Sequence, residues 1–163
     1  MPSIFAAAKS TVAITATTAP PSTYDAAGYA ALTYEQICPL QSIGAFGTTF
    51  EAVTFDDICT GLRTKIKGIN DNGEMEVVAA YDDTNDGQLA AVVAAKDTST
   101  ANYHFKVTLP NKQNITGNDA IFYFSGKVMS ATVTPGSASD VVTRTINIGI
   151  NTEIVEVAST AGV

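Results

Sequence analysis

The stretch "TKIKGINDNGEMEVVAAYDDTNDGQLAAVVAAKD" (Thr64–Asp97) carries the plainest folding code in the chain. Its first run, extended back to Leu62, alternates: Ile66 points one way, Arg63, Lys65 and Lys67 the other. "INDNG" (Ile69–Gly73) reads as a hairpin turn, because Asn-Gly tolerates the positive φ of a type I′ turn. "EMEVVAAY" (Glu74–Tyr81) returns with Met75, Val77, Ala79 and Tyr81 on one face and Glu74 and Glu76 on the other. Paired through that turn, Lys65 and Lys67 share a face with Glu74 and Glu76. Opposite charges across strands contribute roughly 0.2–1 kcal/mol per pair. "TNDGQLAAVVAAKD" (Thr84–Asp97) then reads as a helix. Thr84 or Asn85 serves as N-cap, Asp86 sits in the first turn and Lys96 in the last, the signs that the helix dipole favours. Leu89, Val92 and Val93 recur at helical spacing as the face expected to pack on a sheet.

Outward from this stretch the pattern is mostly β. Downstream, "YHFKVTLP" (Tyr103–Pro110) places Tyr103, Phe105, Val107 and Leu109 inward. "AIFYFSGKVMSATVT" (Ala120–Thr134) is a long strand with a bend expected at Gly126. "VVTRTINIGI" (Val141–Ile150) alternates Val142, Ile146, Ile148 and Ile150 against threonines and Asn147, and "EIVEV" (Glu153–Val157) is a last short run. Upstream, "AALTYEQICPL" (Ala30–Leu40) offers a strand, and glycines at 44 and 47 mark bends before "TTFEAVTFDD" (Thr48–Asp57). A short strand fits residues 10–16, and "TTAPPSTYDAAG" (Thr17–Gly28) is a loop by composition. Residues 1–28 therefore read as an N-terminal arm, and 29–163 as one domain. The expected fold is mainly β, a sandwich or barrel of seven or eight strands flanked by one short helix.

The totals agree. The chain has 163 residues, 45% of them apolar, enough for one core. Charged residues reach only 15%, which fits surfaces covered by partners. The formal net charge is −7, and no cluster of Lys and Arg suggests a groove that grips nucleic acid. Lys9 interrupts the apolar N-terminal stretch, against a signal peptide, and no run has the length of a membrane span. Synthesis in the cytoplasm is the expectation.

Candidate chemistry is sparse. Cys38 and Cys59 have neither zinc nor redox spacing and read as reduced thiols in or near a core. His104, the single histidine, lacks nominated partners for a triad or a metal and reads as a surface or interface residue. "DDTNDG" (Asp82–Gly87) imitates a calcium loop but places Val93 where the bidentate Glu belongs, so helix capping explains it better. "NIT" (Asn114–Thr116) is a glycosylation match of low specificity. Phe46, Phe50 and Phe55 could line a pocket, though core or subunit contact is the commoner use. No catalytic residue, metal or cofactor emerges.

The order of pieces carries a resemblance. "YEQICPLQSIGAFG", "TTFEAVTFDD", "KIKGINDNGEMEVVAAYDD", a short helix, "YHFKVTLPN" and "IFYFSGKVMSATVTPG" together resemble the major tail tube proteins of long, non-contractile phage tails and related gene transfer agents. The resemblance covers residues 30–157. Its most specific parts are the hairpin Gly68–Gly73, Phe124–Val128 and Thr134–Gly136. It implies a virion protein, not an enzyme, that assembles with itself into stacked rings, commonly hexameric. These form a hollow tube through which DNA passes without tight binding. It implies tape-measure, tail terminator and distal tail proteins as further partners, and no membrane.

On this reading Lys65, Lys67, Glu74 and Glu76 form a face toward the lumen or a neighbouring subunit. Thr48, Thr49, Phe50, Phe55, Asp56 and Asp57 lie in an inter-subunit loop spanning 48–61. Ile4, Phe5, Val12 and Ile14 are arm contacts, so that deleting residues 2–20 leaves the domain folded. Three other readings stay open: a secreted or surface β-sandwich adhesin or pilus-like subunit, a small binding or enzyme domain using the phenylalanines, and the tube protein of a contractile injection apparatus.

Overall fold

The computed structural model describes residues 4–162. Ten strands and two helices occur among them: β1 (Thr11–Thr15), α1 (Ala26–Ala30), β2 (Tyr34–Gln36), β3 (Leu40–Ile43), β4 (Thr49–Asp57), β5 (Leu62–Asp71), β6 (Glu74–Ala80), α2 (Asp86–Lys96), β7 (Tyr103–Leu109), β8 (Ala120–Thr134), β9 (Thr143–Ile150) and β10 (Val155–Val157). Eight strands make one antiparallel sheet in the order β2-β1-β7-β8-β9-β6-β3, with β10 beside β8; β4 and β5 pair only with each other.

Chain connectivity forces the large sheet to curl. Laid flat, β2 and β3 would stand six strand spacings apart, about 29 Å. Yet only Ile37–Pro39 separates them in sequence, and the four steps from Gln36 to Leu40 span at most about 14 Å. The linker also continues both edges. Ile37 N–H donates to the Val12 carbonyl at 2.9 Å, and Ala80 N–H to the Pro39 carbonyl at 2.9 Å. The result is a mainly β, barrel-like sheet closed around Val12, Ile14, Ile37, Met75, Val77, Phe105, Val107, Phe124, Ile146 and Ile148.

The long β8 serves both halves. Residues up to Gly126 pair with β7, and residues from Gly126 on pair with β9. At this switch the backbones press together, since a Cβ on Gly126 would sit 2.1 Å from the Gly149 carbonyl oxygen. The bend expected at Gly126 is thus a change of partner.

Helix α2 closes the barrel, lying against β8, β2 and β1. Asn85 is its N-cap, with Oδ1 accepting from Gln88 N–H at 2.9 Å. The buried face differs from expectation. Gly87, Gln88, Ala91 and Ala94 face inward, while Leu89 and Val93 are exposed. Close approach selects the small residues. A Cβ at Gly87 would lie 2.4 Å from the Gln36 carbonyl oxygen. Gln88 then caps the barrel end. Its Nε2 donates to the carbonyls of Cys38 (2.8 Å) and Ala80 (2.7 Å), and its Oε1 accepts from Arg144 Nη1 at 3.3 Å. Arg144 occupies an inward position of β9 and lies over the Tyr81 ring at 4.7 Å, whereas Val142, expected inward, is exposed.

The N-terminal region is also corrected. Val12 and Ile14 are fully buried in β1, which pairs with both β2 and β7. They are core residues and not arm contacts, and the domain begins well before residue 29. The expected loop Thr17–Gly28 ends early, because α1 begins at Ala26, capped by Asp25, whose Oδ1 accepts from Gly28 N–H at 2.8 Å. The arm proper is the exposed segment before β1, with Ile4 and Phe5. Deleting residues 2–20 is therefore predicted to abolish cooperative thermal unfolding, because it removes a strand from inside the sheet. Deleting residues 2–8 should leave the melting temperature within a few degrees of the parent. Circular dichroism melts of the two truncations check both outcomes.

Candidate functional site: a projecting hairpin

The β4–β5 hairpin stands apart from the barrel. Its turn is built by Asp57, whose Oδ2 accepts from the Thr60 hydroxyl at 2.7 Å and Oδ1 from Cys59 N–H at 2.8 Å. These bonds hold the Asp57 carboxyl below the usual carboxylate range, the Thr60 hydroxyl contributing most. Gly61, at φ 68°, supplies the left-handed residue. Residues 58–61 form the tip, and residues 49–57 of the expected 48–61 loop are strand.

Register sorts the hairpin into two faces, since directly opposed residues share one. Val53 faces Ile66, Phe55 faces Thr64 and Asp57 faces Leu62; Ala52 faces Lys67, Thr54 faces Lys65 and Asp56 faces Arg63. One face is bare and mostly apolar, with Val53 51%, Phe55 61%, Leu62 68% and Ile66 56% exposed beside Thr64 and Asp57. The other holds three cations. Arg63 grips Asp56 through two bonds, Nε–Oδ1 at 2.6 Å and Nη2–Oδ2 at 2.9 Å, which keeps the Asp56 carboxyl low. Lys67 Nζ lies 4.6 Å from the Phe50 ring centre. Phe50 and Phe55 therefore serve opposite faces. Phe46 joins neither and packs on Phe122 at 5.3 Å, so the three phenylalanines form no common pocket.

The charged face expected from the sequence does not assemble. Lys65 and Lys67 lie on β5, opposite Thr54 and Ala52. Glu74 and Glu76 lie on β6, opposite Gly149 and Asn147. Asn72-Gly73 is a corner between two sheets and not the turn of a hairpin. Gly73 has the expected positive φ of 71°, but Asn72 is pulled inward. Its Nδ2 donates to the Thr152 carbonyl at 2.9 Å and its Oδ1 accepts from the Thr48 hydroxyl at 2.7 Å. Ile150 N–H donates to the Gly73 carbonyl at 3.0 Å. These bonds tie the base of the hairpin to the chain segment after β9. Thr48 and Thr49 lie at that base, Thr49 donating to the Asp71 carbonyl at 3.1 Å.

Little else on the molecule offers chemistry. Cys59 is exposed at the hairpin tip, against the expectation of a near-core thiol, and Cys38 is half-buried; both are free. Among the described residues no group of three or more His, Cys, Asp or Glu gathers as for a metal, and no helix is long and apolar enough to cross a membrane. Asp82 accepts from the Thr84 backbone and hydroxyl at 2.9 and 2.7 Å, a turn ahead of the helix cap. Asn114 holds the Gly162 backbone by two bonds, Nδ2–O at 3.0 Å and N–Oδ1 at 2.9 Å, so its amide is already engaged. His104 is buried and not at the surface, with Nδ1 2.7 Å from Ser125 Oγ.

Comparison with known proteins places the fold. No family model matches the chain, and neither does any curated protein. Solved structures do. A chain from the sheath/tube terminator of an extracellular contractile injection system, PVC, superposes with a TM-score of 0.69 at 12% identity, covering 96% of this chain and 99% of that one. The SPP1 tail tube gives 0.65 at 13% identity, over 91% of this chain and 76% of that one. The tail of an empty gene transfer agent particle, refined with C6 symmetry, gives 0.57 at 15% identity, over 78% and 89%. The chain has the fold found in these tube and tail assemblies.

The corner bonds give a measurable expectation. Asn72→Ala removes both side-chain bonds of a buried amide and should cost about 1–3 kcal/mol of stability. Urea denaturation at neutral pH, compared with the parent chain, measures it.

Proposed function

We propose that this chain is the subunit of a tail-type tube, assembling with copies of itself into stacked rings around a hollow lumen. The observation that carries this reading is the hairpin. A two-stranded ribbon is marginally stable alone in water. Here it presents an exposed apolar cluster, Val53, Phe55, Leu62 and Ile66, with nothing from its own domain over it. A neighbouring copy that covers this face removes the cost of exposing it. Pairing along the hairpin edges also satisfies backbone groups that would otherwise invite uncontrolled association.

The refined C6 symmetry of the gene transfer agent tail supports rings of six. Such a ring would carry six times the chain's formal charge of −7, and a net negative wall keeps a nucleic acid from adhering during transit. On this reading the cationic face of Arg63, Lys65 and Lys67 meets a neighbouring subunit. Its cations are partly met already, by Asp56 and the Phe50 ring. The exposed Ile4 and Phe5, and Glu74 and Glu76 on the outer side of β6, are further contact candidates. Tape-measure, terminator and distal tail proteins would be its partners in a phage-type tail, the tail of the particle its location, and DNA its cargo.

A specific observation favours a second system for the same part. The contractile-system terminator chain matches nearly end to end on both sides, whereas this chain covers 76% of the SPP1 tube subunit. In a contractile system the tube carries an outer sheath. Electron microscopy of native particles separates the two systems: a second, shortening protein layer around the tube marks the contractile one.

The assembly reading is tested with the purified protein. The parent chain, concentrated, should form rings or hollow tubes visible by negative-stain electron microscopy. The double variant Val53→Asp/Phe55→Asp should stay monomeric on a sizing column while keeping the parent's melting temperature within about 2–4 °C, since exposed sites contribute little to the fold. Tubes of normal appearance from the double variant would overturn the assignment of this face.

A further inference from the structure

The barrel has a second covered surface, and the chain's single histidine is buried there. Along β7, Tyr103, Phe105 and Val107 face the main core. His104 points the other way and is 2% exposed. It faces a polar cluster roofed by α1 and the segment before it. His104 Nδ1 lies 2.7 Å from Ser125 Oγ, and Ser125 Oγ lies 2.8 Å from the Tyr29 hydroxyl on α1. Tyr29 also stacks on Tyr123 at 5.6 Å with planes 6° apart, and meets the His104 ring edge-on at 6.0 Å. Tyr34 donates to the Tyr29 carbonyl at 3.0 Å. The ring's remaining nitrogen, Nε2, is buried without a hydrogen-bond partner.

The chemistry of this cluster depends on the charge of one ring. A neutral imidazole has one N–H and one lone pair; with its hydrogen on Nδ1 it donates to Ser125 Oγ and leaves only a lone pair at Nε2. Protonation makes both nitrogens donors. Nδ1–H then requires Ser125 Oγ as acceptor, which obliges the Ser125 hydroxyl to turn its own hydrogen to Tyr29. Nε2–H gains a proton where the Ala19 carbonyl is the one acceptor that favours the charged ring, and Nε2 makes no full hydrogen bond; the charge itself is removed from water. Burial holds the His104 pKa below its ordinary value, with the Ala19 carbonyl acting weakly in the opposite direction.

The charged neighbours do not relieve the cost. Lys106 is two residues along the same face of β7, with its Nζ 5.9 Å from the Tyr34 ring, and Lys127 is two residues beyond Ser125 on β8. Both add positive charge. From α1, Asp25 is committed to the Gly28 N–H and the Thr23 hydroxyl. From β10, Glu156 is paired with Phe122, on the opposite face from Tyr123. Tyr24, Tyr29, Tyr34 and Tyr123 are the other titratable groups around the cluster, and burial pushes the Tyr34 and Tyr123 phenols up.

We propose that His104 is an acid-sensitive latch that holds residues 17–33, with α1, onto the sheet. This inference is independent of the tube reading, since every group in it belongs to one chain. Neutral His104 fits the closed roof. A group whose folded-state pKa is depressed binds its proton more readily once released, so the closed state loses stability as pH falls below about 6.5. Opening costs the Tyr29–Ser125 bond and the Tyr29–Tyr123 stack, and leaves the main core on the far face of the sheet intact.

The chain's single histidine and lack of Trp make the test direct. Imidazole proton NMR of the full chain follows His104 without assignment, tyrosine near-ultraviolet circular dichroism follows the cluster, and hydrogen exchange follows residues 17–33 between pH 7.5 and 4.5. The expected result is that His104 protonates only below the ordinary histidine range. Its titration should coincide with the tyrosine change and with at least a tenfold loss of protection in α1 (after correction for intrinsic exchange), while β6 and β9 keep theirs. In His104→Gln, which cannot titrate, α1 protection should be flat over the same range. If that variant does not fold, the coincidence of the titrations in the parent chain still decides the matter. An ordinary titration near pH 6.5 with unchanged tyrosine signals overturns the proposal, as does the same acid loss of protection in His104→Gln.

Discussion

Everything distinctive about this molecule follows from the corner at Asn72-Gly73. A chain leaving β5 in a straight hairpin would lay β6 beside it and bury the ribbon in the sheet. Instead Gly73 takes up a left-handed conformation, Asn72 turns its amide into the protein, and the chain crosses to a different sheet. A buried amide left without partners costs about 1–3 kcal/mol. The pairing of Asn72 with Thr48 and Thr152 therefore fixes where the barrel ends and the projecting ribbon begins. Because Thr48 immediately precedes β4 and Thr152 follows β9, one side chain joins three separate parts of the chain at the hairpin base.

The barrel on the other side of that corner is specified by a second constraint, the shortness of the Ile37–Pro39 linker. It brings the first and last strands of the sheet together and leaves an end that α2 must stop. Small residues on the inner face of α2 allow it to approach the backbone, and Gln88 satisfies the two carbonyls that the closing strands leave at the rim. A rigid, closed body with one ribbon extending from it suits the proposed assembly, in which the body would keep its shape and the ribbon would meet the next copy. Loosely packed ends would make every contact between copies variable.

Much of this was legible in the sequence, for identifiable reasons. Strands β7, β8 and β9 announced themselves through long alternation, and α2 through a cap and a dipole-matched pair of charges. These are local signals. What depended on distant partners was read wrongly. Asn-Gly carries the left-handed geometry of a hairpin turn wherever it occurs, and only the contacts of Asn72 with Thr48 and Thr152 reveal a corner. The face of α2 was misjudged because bulk was taken as the sign of burial, when the strand backbone at Gln36 leaves room only for Gly87. His104 and Arg144 were missed as interior groups because their partners, Ser125 with Tyr29 and Gln88 with Tyr81, lie far away along the chain. The sequence puts Phe50 and Phe55 in one loop, whereas the register sets them on opposite faces of the hairpin.

The most direct test of the account is hydrogen–deuterium exchange on the β4–β5 hairpin, residues 49–71, in free and assembled protein. The free subunit should exchange the outer half of the hairpin rapidly, because nothing in its own domain covers it. The assembled form should protect both strands strongly, while β7 and the first half of β8 change little. Equal exchange of the hairpin in the two states would contradict the account, because the ribbon would then be a bystander in assembly.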